Sequence, residues 1–243
     1  MTRVVASELL KFRTTRTFWA LAGSAVGLVL LIVILTLAID DNLASEDDVR
    51  SLLSNAGIYG LLTLILGVVA GAGEYRHGTI AWTLLVTPNR LRAVGGSVIA
   101  CFLGGLAIGV VVSLCTAAVA LPWLSSRDAV MPSAGDTLQI FLGGILYGAL
   151  AAALGSAFGA LLRNQVAAVV IVLVLIFVVD PVIVGLLEDV GQFTLTGLGI
   201  AMSGGGTGDD TDLLPLGVAA LIWALYTLLL TALAVIFTSR RDI

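Results

Sequence analysis

Charge-free stretches of about 20 residues recur along the whole chain, and this constrains it more than any other feature. A helix needs roughly 20 predominantly apolar residues to cross a bilayer. Six segments of that kind can be drawn, at about 18–39, 52–73, 93–121, 138–162, 166–187 and 214–237. With 59% hydrophobic and 12% charged residues in 243, little is left over for a second, soluble domain. The expectation is an all-α polytopic membrane protein: one transmembrane domain over 1–243, with six transmembrane helices.

The net charge of -4 conceals a segregation of signs between alternate connections. Ten of the twelve basic residues fall on one side: Arg3, Lys11, Arg13, Arg16, Arg76, Arg90, Arg92, Arg163, Arg240 and Arg241. Only Glu8, Glu74 and Asp242 oppose them there. The other side carries Arg50 and Arg127 among twelve acids, from Asp40 to Asp212. By the positive-inside rule the basic side is cytoplasmic, which puts both termini inside; eleven Arg against one Lys point to a bacterial source, so the expected location is a bacterial cytoplasmic membrane. The acidic side excludes no function by itself, but nothing in the pattern points to a nucleic-acid partner.

The first apolar run is span length and lacks a small-x-small site before the acidic loop, so it reads as a retained span and not a cleaved signal. Residues 1–16 before it have a helical pattern. Val5, Leu9 and Phe12 share one face, and Arg3, Ser7 and Lys11 the opposite one. An interfacial helix on the inner leaflet fits, serving either as a topological anchor or as a docking element.

Chemistry-bearing residues are few. His77 is the single histidine and lies in a connection, so a Ser/His/Asp arrangement within the membrane or a multi-histidine metal site has no imidazole to use. No Gly-x-x-x-x-Gly-Lys-Ser/Thr loop occurs, and Lys11 is the single lysine. No catalytic residue, metal ligand or cofactor of its own is therefore assigned to this chain. Cys101 and Cys115 lie about 21 Å apart along one helix and cannot pair.

Asp180, followed by Pro181, is the one acid inside an apolar run. An intramembrane carboxylate is costly and by default a functional candidate. It is either a polar group lining a translocation path or a helix break near the outer interface, hydrated from outside. After it, 188–212 is too short and too interrupted to span, and an interfacial or re-entrant piece with a Gly-rich turn describes it. Spacings such as Gly144-x-x-x-Gly148 and Gly155-x-x-x-Gly159 imply close helix packing.

The second basic connection, EYRHGTIAWTLLVTPNR, is the most informative stretch. Gly78 permits a sharp turn, Thr79 can cap a helix, and Ile80, Trp82, Leu84 and Leu85 supply apolar faces until Pro88 ends it. A short helix across the cytoplasmic face would serve either as a docking surface or as an element resting in the lipid interface.

At this segment the chain resembles the permease subunits of ABC transporters of the type 2 export class, which includes drug, antibiotic and polysaccharide exporters. The resemblance runs from SELLKFRTTRTFW through EYRHGTIAWTLLVTPNRLR to LGSAFGALLRNQVAA. It implies a cytoplasmic coupling helix that contacts a separate ATPase subunit through Glu74, Tyr75, Arg76, His77, Gly78, Thr79, Ile80, Trp82 and Leu84. It also implies ATP and Mg in that partner, a second permease subunit forming a homodimer or heterodimer, and membrane lipids as surroundings. Family members often carry a lysine where this chain has Gly95 and Gly96. The competing reading is a self-contained secondary transporter or channel that uses Asp180 as a coupling group; a membrane enzyme fits least, for want of nucleophile–base pairs.

Overall fold

A helix satisfies its backbone polar groups within its own segment, which suits apolar runs of about 20 residues. The computed structural model describes residues 2–39, 45–76, 89–127, 129–204 and 213–240, and among these there is no strand. In chain order the helices are α1 (Thr2–Thr14), α2 (Arg16–Ile39), α3 (Glu46–Ser54), α4 (Tyr59–Arg76), α5 (Arg90–Ser126) and α6 (Ala134–Leu162). They continue with α7 (Gln165–Leu186), α8 (Glu188–Gly191), α9 (Leu195–Ser203) and α10 (Leu216–Arg240). Six of the helical stretches are long and apolar enough to cross a membrane: α2, α3 with α4, α5, α6, α7 and α10.

Side-chain caps mark the starts of several helices, where the first N–H groups have no intrahelical acceptor. Ser45 forms a capping box with Asp48 before α3, and Asn89, Ser133, Asn164 and Thr194 accept backbone N–H bonds at the starts of α5, α6, α7 and α9. The helices also extend past the apolar runs. The second spanning-length stretch begins at Glu46, with a 3-10 turn at Asn55–Gly57 before α4. The 37 residues of α5 run through Pro122 and amount to about 55 Å of helix, well beyond the roughly 30 Å hydrocarbon core.

The bundle is organised around α6, which packs on α4, α5 and α10. Its closest partner is α4, and the contact is made by glycine. An added Cβ would stand 2.0 Å from the Ala152 carbonyl oxygen at Gly67 and 2.2 Å from that of Ser156 at Gly71. From the α6 side, a Cβ would stand 2.1 Å from the Leu64 carbonyl oxygen at Gly155 and 2.4 Å from that of Val68 at Gly159. These are backbone atoms, so no side-chain rotation relieves the collision. Four glycines interlock in one seam where two backbones touch, the small-xxx-small device of membrane helices.

Tyr59 sits at the acidic end of this seam, fully buried, and donates its hydroxyl to the Gly144 carbonyl at 2.6 Å. By contrast α2, α7 and α10 are mostly uncovered, presenting Leu31, Val174, Phe177, Leu221 and Leu228 outward.

The connection after α7 folds back into the bundle. Leu198 and Met202 of α9 are fully buried, against α6 and α10, and a Cβ on Gly143 would stand 1.9 Å from the Met202 carbonyl oxygen. This is a short helix packed into the bundle; the Gly-rich stretch 205–212 lies outside the described residues.

Candidate functional site

Two places gather the polar residues singled out from the sequence, one at each end of the bundle.

At the Arg-rich end, three segments distant in sequence converge. Helix α1 turns its apolar face onto the bundle: Phe12 packs with Ala100, Cys101 and Ala152, joined by Val5 and Leu9, and stacks on Phe18 with ring centroids 5.1 Å apart. Val4 lies over Gly96, where a Cβ would stand 2.6 Å from its Cγ1, so α1 rests directly against α5 there.

Glu8 falls in phase with Val5 and Phe12 and is carried into the contact with them, where it is only 7% exposed. Lys11 bonds the Glu8 carboxylate from the same helix and reaches Glu74 Oε1, at the end of α4, at 2.6 Å. The single lysine thus bridges two carboxylates 66 positions apart (74 − 8). Burial raises the pKa of Glu8 and outweighs the opposing pull of Lys11. For Lys11, burial would lower the pKa, but hydrogen bonds to Glu74 and Glu8 raise it on balance.

The next two residues of α4 engage the turn between α6 and α7 and the residue that follows it. Arg163 takes the left-handed conformation at φ 56°, unusual for a side chain with a Cβ, and closes α6 through its N–H to the Gly159 carbonyl. Its guanidinium lies 5.2 Å from the Tyr75 ring centroid and donates to the Phe237 carbonyl of α10 at 3.2 Å. Arg76 Nη1 donates to Gln165 Oε1 at 3.0 Å. Glu74, Tyr75 and Arg76 are therefore tied in turn to α1, to the α6–α7 turn and to the first residue of α7. His77, Gly78, Thr79, Ile80, Trp82 and Leu84 lie outside the described residues.

A cavity of about 540 Å³ opens beside this cluster. Its wall is formed by Phe18, Leu21, Leu66 and Val69, and Glu8, Lys11, Glu74 and Arg76 stand along it.

Near the acidic end, Asp180 is buried, 6% exposed, and its Oδ2 accepts both the backbone N–H and the hydroxyl of Thr196 at 2.8 Å. The helix is irregular just before it. Leu175–Val179 forms a π-turn, closed by the Asp180 N–H on the Leu175 carbonyl, and Pro181 supplies no N–H of its own. Asp180 thus ties α7 to the start of the inserted helix α9. Ion pairs of Arg50 with Glu46 at 3.4 Å and Asp136 at 3.5 Å add a surface link between α3 and α6.

The burial of Glu8 and the role of Lys11 were missed from sequence, although the phase of Glu8 with Val5 and Phe12 was a signal for the first. Among the described residues no group of three or more His, Cys, Asp or Glu is placed to hold a metal ion. No protein-family model matches the chain, and no curated protein matches it.

Proposed function

We propose that this chain is the membrane-spanning permease subunit of an ATP-driven ABC exporter. It would form the translocation path with a second permease subunit and be driven by a separate ATPase subunit that holds ATP and Mg. The observation that carries the reading is the convergence at the Arg-rich end. The three segments that carry the family resemblance contribute Lys11, then Glu74 to Arg76, then Arg163 and Gln165, and these side chains touch one another. A push on the connection that follows Arg76 would reach α1, α6, α7 and α10 through these contacts without needing to bend α4.

In this reading the Arg-rich end faces the cytoplasm, α1 lies at the inner leaflet, and the connection 77–88 carries the coupling helix. Its contacts to the ATPase would come from His77, Gly78, Thr79, Ile80, Trp82 and Leu84, with Glu74, Tyr75 and Arg76 as the hinge that anchors them. The uncovered faces of α2 and α7 are available to a second copy or a homologous subunit. ATP-driven closure of the ATPases would then switch the paired membrane halves between two arrangements.

The self-contained carrier is favoured less, because the Asp180 oxygen that would take part in coupling is already accepting two bonds from Thr196. Co-expression with an ABC ATPase encoded beside this chain tests the proposal. Stable co-purification in equal amounts is expected; a chain that purifies alone and moves solute in liposomes on an ion gradient would overturn it.

A further inference from the structure

We propose that the crevice between α7 and α10 is a binding site for one acyl chain of a bilayer lipid. The proposal rests on these helices crossing a bilayer and not on the transporter reading.

A second cavity, of about 280 Å³, lies among α4, α6, α7, α9 and α10. Its floor is the glycine seam: Leu64 of α4 and Leu154 of α6, each 3% exposed, stand beside Gly155. Val172 and Leu175 of α7 form one wall, and Leu229 and Leu230 of α10 the other. The floor cannot rise to fill the space, because its two backbones are already in contact. Tyr226 holds α10 in place by donating its hydroxyl to the Phe193 carbonyl at 3.2 Å.

The wall chemistry names the class of occupant. Tyr226 carries the only side-chain oxygen among the lining residues, and that hydroxyl is engaged with Phe193. Water needs at least two polar partners in a buried site, whereas a cavity of about 150 Å³ lined by Leu, Ile and Phe stays dry and takes benzene. The volume here is larger than that, and an alkyl segment is the class that fits it.

The position names the source. Leu229, on the rim, is 55% exposed, and the uncovered Val174 and Phe177 of α7 and Leu225 and Leu228 of α10 continue the apolar surface outward. Val172 stands about 10 Å along the axis from the start of α7, and Leu230 about 15 Å from the end of α10, at roughly 1.5 Å per residue. Both of those helix ends belong to the Arg-rich end, so the cavity lies near the middle of a hydrocarbon core roughly 30 Å thick. The terminal half of a lipid chain is what meets the mouth at that depth. Entry gains no hydrophobic free energy, since a lipid tail is as apolar as leucine; it gains dispersion contact with wall atoms that otherwise lack neighbours. The helix is also irregular here: Leu175 opens the π-turn Leu175–Val179, a feature that recurs at functional sites.

The test is photolabelling of the full chain in nanodiscs of phosphatidylcholine. One lipid carries a diazirine near the terminal methyl of a chain and a second carries it near the ester, and labelled residues are mapped by mass spectrometry. We expect the terminal probe to label Leu64 and Leu154, which bulk lipid cannot touch, and the ester probe to leave both at background. Val172→Phe, which adds a ring inside the cavity, should abolish the floor label while Leu221 on the outer face stays labelled. Leu229→Trp narrows the mouth from an exposed position and should lower the floor label too, so it decides the matter if Val172→Phe does not insert.

Floor residues at background with the terminal probe in the unaltered chain would overturn the proposal, as would floor labelling that persists in Leu229→Trp and in an inserted Val172→Phe. An intermolecular disulfide formed by Leu229→Cys in the same nanodiscs would overturn it as well, because the mouth would then face a second copy of the chain and not lipid.

Discussion

The seam between α4 and α6 and the cluster at the Arg-rich end of the same two helices hold the bundle in opposite ways. Along the seam there is nothing to rearrange: backbone meets backbone across Gly67, Gly71, Gly155 and Gly159, and no side chain intervenes. One turn beyond, contact passes through the longest and most flexible side chains the chain possesses, Lys11, Arg76 and Arg163. The first arrangement has one geometry. The second is made of single side-chain contacts, to carboxylates, an amide oxygen, a carbonyl and a ring, each contributing on the order of 1 kcal/mol. Helix α4 is thus closely packed along its length and held by side chains at its end, the combination that the proposed coupling role would use.

The contrast is broken most severely at the seam. Gly67→Leu or Gly155→Leu should cost at least ~3 kcal/mol, the upper part of the overpacking range, because backbone on both sides resists relaxation. Size-exclusion chromatography and thermal unfolding in detergent should show aggregation or a large fall in Tm.

Next in size is Asp180→Ala, which leaves the Thr196 N–H without its acceptor and should cost about 2 kcal/mol, loosening α9 from α7. Accelerated amide exchange over 195–203 checks it. Asp180→Asn keeps an acceptor oxygen and should lose about half as much.

At the Arg-rich end, Lys11→Met should cost about 1–2 kcal/mol, less than for a fully buried pair because the Lys11 side chain is 46% exposed. Glu8→Gln should cost less again, since burial disfavours the charge it removes. The pH dependence sharpens the difference. The pKa of Lys11 is raised on folding, so its contribution is complete below the unfolded value near 10.5 and lost as pH rises through the higher folded value. The pKa of Glu8 is also raised, so its contribution is complete below about 4.5 and lost as pH climbs through the folded value. Thermal unfolding across pH should show the fall above about 4.5 missing from Glu8→Gln and the step above 10.5 missing from Lys11→Met.

The same two regions differ in how far they can be read from sequence. The six crossings and the separation of charge are legible because length and apolarity are local properties of the chain, and so is the seam in part: Gly155-x-x-x-Gly159 stands out, and Gly67-x-x-x-Gly71 obeys the same rule. Which glycine pair meets which is a tertiary matter. Helix α9 is visible as a segment too short to span, but its depth of insertion depends on Met202 meeting Gly143, which no window over the sequence contains. The cluster is the least legible. Lys11 and Glu74 are 63 residues apart, and Tyr75 and Arg163 are 88 apart (163 − 75), so their pairing follows only once the helices have docked. Asp180 shows the limit of an isolated motif: an acid before proline in an apolar run marks the position, while Thr196 determines what the carboxylate does there.

The central claim is that the connection beginning at Glu74 delivers work from a partner ATPase into this bundle. The most direct measurement is ATP hydrolysis by that ATPase in liposomes containing either the unaltered chain or the Glu74→Ala, Gly78→Leu double variant, with membrane insertion checked in both. The account predicts clear stimulation by the unaltered chain and its loss, by tenfold or more, in the variant, on the order of 1.4 kcal/mol of coupling. Undiminished stimulation by an inserted double variant would contradict it.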